Sequence, residues 1–112
     1  MTVRRLLSLA AVVAVAAALA VPALASTKTI KVGDDYFVRA GRPPVVTVSK
    51  GTTVKWVWRG KIIHNVVAKS GPQRFRSKTQ VTGSFSKKFT KGGTYNIVCE
   101  IHTGMAMTLK VH

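Results

Sequence analysis

From Thr27 onward, apolar residues recur at every second position in short runs, and Gly, Pro, Ser and Asn separate the runs. That period belongs to extended chain, whose successive side chains point to opposite faces. An apolar stripe at helical spacing is missing from the same stretch. "TKTIKV" at 27–32 predicts a first strand and "YFVRA" at 36–40 a short second one, before "GRPP" interrupts. "VVTVSKG" and "TTVKWVWRG" predict strands joined near Lys50-Gly51, and "IIHNVVAK" at 62–69 predicts a strand carrying His64. "SGPQRFRSKTQVTG" reads as a loop-rich crossing. In the strand "SFSKKFT", Lys87 between Phe85 and Phe89 marks an edge position or a bulge, because charge blunts a sheet edge. "KGG" turns the chain into the last two strands, "TYNIVC" and "MAMTLKVH". Seven to eight short strands with turns between them predict an all-β fold, a β-sandwich with Greek-key connections.

The same period assigns faces. Tyr95, Ile97 and Cys99 share one face of their strand, and Met105, Met107, Leu109 and Val111 share one face of the next. Ile62, His64, Val66 and Ala68 form a third set. These faces are mostly apolar and so turn toward a core. Cys99 and His64 then fall at the inner ends of strands. The loop Glu100–Gly104 carries His102 toward the same end.

The first 25 residues read differently. "MTVRR" is a short basic start, "LLSLAAVVAVAAALAV" is uncharged and apolar, and Ala23-Leu24-Ala25 fits a small-x-small cleavage site. Together they predict a secretory signal peptide cut after Ala25. The competing membrane anchor would need a span of about 20 apolar residues, and the run is shorter. No cysteine follows the site to carry a lipid anchor there. Arg4-Arg5 permits twin-arginine export, although the surrounding residues match that signal poorly. The expectation is a periplasmic or secreted protein whose single domain is residues 26–112, as a monomer. Exported domains of that size are often stapled by disulfides. The chain has one cysteine, so its staple is absent, intermolecular or a metal.

Charge narrows the partners. The full chain has 18 Lys and Arg against three acids, a formal net charge of +15. Only Arg4 and Arg5 leave with the leader. Such a surface attracts acidic proteins, anionic membrane or cell-wall phosphate, with association that slows as salt rises. Nucleic acid fits poorly: the bases are scattered, no basic helix or aromatic-basic RNA motif is present, and export removes the partner.

The remaining question is why "IVCEIHTGMAM" at 97–107 surrounds one thiol with His and Met. Thiolate is soft and imidazole borderline, and two His, one Cys and a weak axial Met make a trigonal copper site. Cys99 ends a strand, His102 lies in the following turn and Met105 begins the returning strand. His64 arrives from far away in sequence. Each residue has a plainer reading: a buried Cys is commonly a small apolar residue, His64 could be a hydrogen-bonded core histidine, and Met105 and Met107 could be packing. Their joint spacing favours one site. A Cys-His nucleophile pair would need no methionine and lacks an orienting third group. Zinc competes on ligand type, but structural zinc sites normally use more cysteines.

"GTYNIVCEIHTGMAMTLKV" resembles the C-terminal copper loop of the cupredoxins, particularly the plastocyanin, amicyanin and pseudoazurin group. "HNV" at 64–66 resembles their upstream copper histidine, and "GTTVKWVW" the strand before it. The similarity runs from about Ile30 to Val111. It implies a β-sandwich binding one copper, with His64, Cys99 and His102 in the plane and Met105 axial. Met107 shares the inward face but lies one step further down. It also implies one-electron transfer to transient redox partners, His102 as the surface portal, and no enzyme activity. Storage or delivery of copper would use the same ligands, and a cationic wall-binding module would not need them. Asn65 in such proteins ties the two ligand-bearing segments together, here with the loop at Glu100 as its expected partner. Thr103 stands where relatives often have proline, adding an N–H beside His102.

Overall fold

The structure, a computed structural model, describes residues 26–112. The expected leader, 1–25, lies outside the described residues. Eight strands follow in order: β1 (Thr27–Gly33), β2 (Tyr36–Phe37), β3 (Val45–Val48), β4 (Thr53–Trp58), β5 (Val67–Ser70), β6 (Ser84–Lys88), β7 (Gly93–Val98) and β8 (Ala106–Val111). They form two four-stranded sheets, ordered β2-β1-β4-β6 and β3-β8-β7-β5. The chain changes sheet at every connection from β2 to β7, and stays within one sheet only between β1 and β2 and between β7 and β8. β1 therefore lies parallel to β4 and β3 parallel to β8, while the other pairs are antiparallel.

The alternation seen in sequence is the alternation of burial. Ile30 and Val32 of β1, Val54, Trp56 and Trp58 of β4, Tyr95 and Ile97 of β7, and Met107, Leu109 and Val111 of β8 fill the space between the sheets. Burying one such aliphatic side chain stabilises the fold by about 1.5–3 kcal/mol. Trp56 packs against Phe75, Phe85 and Phe89. Phe75 comes from the loop-rich crossing, so that segment contributes a core side chain without a strand of its own.

β6 is an edge strand, as Lys87 suggests, and its ammonium lies 5.8 Å from the Phe75 ring centroid. β5 is shorter than the sequence pattern implies. It begins at Val67; His64 makes only an isolated bridge to Gln80, and Ile62 is exposed rather than sharing the inward face. The cause is local. The carboxylate of Asp34 accepts the backbone N–H groups of Lys61 and Ile62, which draws this stretch toward the β1–β2 turn and away from a ladder. Further along, Ala68 and Ser70 pair with consecutive residues of β7, leaving Lys69 as a bulge.

Candidate metal centre

β7 delivers Cys99 to one end of the sandwich. Its inward face runs Tyr95, Ile97, Cys99, and the thiol is 3% exposed. The chain then turns tightly. Cys99 N–H donates to the carbonyl of Met105 at 3.0 Å, and Met105 N–H donates to the carbonyl of His102 at 3.3 Å. Gly104 permits this turn: its φ is +82° with open space where a Cβ would stand, so the constraint is backbone conformation rather than room. His102 is thereby folded back over Cys99, half-buried, with its Nδ1 3.5 Å from the sulfur.

His64 comes from the other side and is fully buried. Its main chain exchanges two hydrogen bonds with Gln80, each 3.0 Å. The Trp58 indole N–H donates to its carbonyl at 3.1 Å. Its Nδ1 lies 3.1 Å from Nδ1 of His102 and 4.0 Å from Sγ of Cys99. Among the described residues, His64, Cys99 and His102 thus bring one donor atom each to within 4.8 Å of one another. First-row ions bind imidazole at about 2.0–2.1 Å and thiolate at about 2.3 Å, so three such donors in a plane around one ion stand about 3.5–3.8 Å apart. The triangle here has nearly those edges. Its chemistry, one soft sulfur and two borderline nitrogens, suits copper.

Met105 is buried at the mouth of β8, directly across from Cys99 through the backbone bond just described, and lines the same surface depression as Cys99 and His102. Met107 sits deeper, paired with Ile97, within the core.

The segments that carry His64 and Cys99 are tied as Asn65 leads one to expect. Glu100 N–H donates to Asn65 Oδ1 at 2.8 Å, and Asn65 Nδ2 reaches Glu100 Oε1 at 3.5 Å. Arg76 clamps the Glu100 carboxylate from outside. That hydrogen bond and charge, aided by Asn65, hold the Glu100 carboxyl below its ordinary pKa and raise the Arg76 guanidinium.

Asp34 gave no sequence signal beyond that of a turn. It stands in the two-residue turn between the paired Gly33 and Tyr36. Asp35 there takes φ +75°, a left-handed conformation that Asp tolerates better than most residues. Asp34 Oδ1 lies 3.0 Å from His64 Nε2. The hydrogen bond from His64, then that from Lys61 N–H, lower its pKa from 3.8 to about 2.

Exposed Ile62, Ile63, Ile101 and Val81 lie one or two positions along the chain from His64, His102 and Gln80. All three acids, Asp34, Asp35 and Glu100, belong to the turns at this end, where they stand among Arg39, Arg42, Lys61, Lys69 and Arg76. The opposite end carries Lys28, Lys50, Lys88, Lys91 and Lys110 at strand ends and turns, with no Asp or Glu.

Two four-stranded sheets and a Cys-His-His triangle at one end define a cupredoxin. The family described as copper binding proteins, plastocyanin/azurin family, matches residues 26–112, and the chain belongs to it; its cofactor is copper. The chain is 34% identical over 96 residues to a plastocyanin from Prochlorothrix hollandica, covering 79% of this chain and 73% of that one. The fold is shared with the oxidized state of an amicyanin mutant (TM-score 0.66, 23% identity, 78% of this chain and 83% of that one). It is also shared with part of a copper-containing nitrite reductase from Thermus scotoductus (TM-score 0.64, 24% identity, 82% of this chain). The chain spans only 23% of that enzyme's length.

Proposed function

We propose that this protein is an exported carrier of single electrons, holding one type 1 copper through Nδ1 of His64, Nδ1 of His102 and Sγ of Cys99, with Met105 as the weak axial ligand. The observation that carries the reading is the convergence of two ring nitrogens and the only thiol of the chain at one end of a rigid sandwich. Copper supplies the Cu(II)/Cu(I) couple. The chain supplies donors fixed by β7, the 99–105 turn and the Gln80 bridge, so little rearrangement accompanies a change of oxidation state. His64 and Cys99 are shut from water, while the edge of His102 reaches the surface and serves as the route for the electron. The exposed side chains of Ile62, Ile63, Ile101 and Val81 suit brief contact with a redox partner. The excess of Lys and Arg selects an acidic partner or an anionic envelope surface. We read the chain as a carrier without substrate turnover, acting in the periplasm or outside the cell as a monomer.

The test is the visible spectrum of the purified protein with one equivalent of Cu(II). An intense blue thiolate-to-copper band is expected, and Cys99→Ser is expected to abolish it while leaving the fold intact. A folded protein with reduced Cys99 and no such band would end this reading. Faster surrender of Cu(I) to a chelating acceptor than exchange of electrons would favour copper delivery over electron carriage.

A further inference from the structure

His64 is restrained at every point except its ring. Its backbone is paired on both sides with Gln80, and its carbonyl is held by the Trp58 indole. The ring has two nitrogens. One faces the thiol and the second imidazole; the other faces Asp34 Oδ1 at 3.0 Å. A carboxylate only accepts hydrogen bonds. The contact therefore requires the proton on Nε2, which leaves the Nδ1 lone pair directed at the metal centre. A histidine ligand that donates its second N–H to a carboxylate becomes a richer donor.

Asp34 is itself held in place. Its two oxygens accept from Lys61 N–H at 2.9 and 3.0 Å, and Oδ1 accepts from Ile62 N–H at 3.2 Å. Room for it depends on Gly60: a Cβ there would lie 1.9 Å from Asp34 Oδ1 and 2.9 Å from Asp34 N. "GDDYF" and "RGKII", 27 residues apart at Asp34 and Lys61, thus form one cradle whose open side is the His64 ring.

We propose that Asp34 is the positioning residue for His64, fixing the Nε2-protonated tautomer and strengthening Nδ1 as a donor, so that the centre favours Cu(II) over Cu(I). This rests on His64 being a ligand, as proposed above. The donor that Asp34 enriches is worth more to the oxidised ion, so its charge lowers the reduction potential. Asp34→Asn keeps the shape and an accepting oxygen but removes the charge. Asp34→Ala removes both.

The experiment has two arms. In the metal-free protein, nitrogen NMR of His64 reports the tautomer without reference to copper. The proton is expected on Nε2 in the wild type and distributed between both nitrogens in Asp34→Ala. In the copper-loaded protein, Asp34→Asn is expected to keep the blue band and reduce the preference for Cu(II) over Cu(I) about tenfold. For a one-electron couple that is a rise in potential of about 59 mV. Gly60→Ala, which displaces Asp34 without replacing it, is expected to move the potential the same way, and Asp34→Glu to return part of the shift. A wild-type ring protonated at Nδ1 would overturn the proposal, as would potentials unchanged in both Asp34→Asn and Gly60→Ala. A wild type with no blue band would overturn the ligand assignment instead, leaving the tautomer result to stand by itself.

Discussion

Tyr95 shows how one side chain links the core to the turn beyond it. Its ring is fully buried against Phe89, and its hydroxyl donates to the Lys91 carbonyl, four residues upstream, at 2.7 Å. That geometry matches the tyrosine corner of other β-sandwiches. Gly71 leaves space for the ring; a Cβ there would lie 2.5 Å from Tyr95 Cδ2, and its φ of +137° also favours glycine. Burial raises the phenol's pKa above 10.0. The sign follows: the folded state holds the proton more tightly than the unfolded chain, so this stabilisation is complete below about pH 10 and is lost as pH rises through the folded value. Tyr95→Phe is expected to cost about 1 kcal/mol at neutral pH, for one hydrogen bond, and to flatten the alkaline limb of stability. Urea titrations of both proteins from pH 8 to 11 check this, and parallel curves would refute it.

Residue by residue, the metal centre was partly legible. His64, Cys99 and His102 could be found because soft and borderline donors are conspicuous in an otherwise apolar alternation, and the structure brings these three together. Asp34 could not. Its neighbours describe a turn, and nothing local indicates that a carboxylate at the apex of one hairpin faces a ring 30 residues away.

At the scale of elements, β4, β7 and β8 were readable because strict alternation leaves only one face to bury. β5 was not. "IIHNVV" is apolar enough for a strand, yet the N–H of Ile62, with that of Lys61 before it, is satisfied on Asp34, and both Asn65 and Val66 are buried. Composition suggests a ladder there; the hydrogen-bond partners decide otherwise. The same stretch supports the 99–105 turn through Asn65. Asn65→Ala would leave Glu100 N–H without its partner, at a cost of about 0.5–1.5 kcal/mol. Chemical denaturation of the metal-free protein should show that loss. A change below about 0.5 kcal/mol, the usual scale for a surface substitution, would mean that Arg76 alone holds the turn.

For the molecule as a whole, sequence conveys the excess of positive charge but not its placement. Folding gathers all three acids, Asp34, Asp35 and Glu100, among the cations of the end that carries the donors, and leaves five lysines without acids at the far end, where Lys50 packs beside the Gly92 turn and bonds through its N–H to the His112 carbonyl. The two ends are separated by the length of a six-residue strand, about 20 Å. On a negatively charged electrode the protein should favour its acid-free lysine end, which holds the metal centre away from the surface and slows electron exchange. On a methyl-terminated electrode it should settle on its exposed isoleucines, with exchange fast. Cyclic voltammetry on the two surfaces reads the difference, and raising the salt should erase it by freeing the orientation. Equal rates at low salt would show that the uneven distribution gives the molecule no compass.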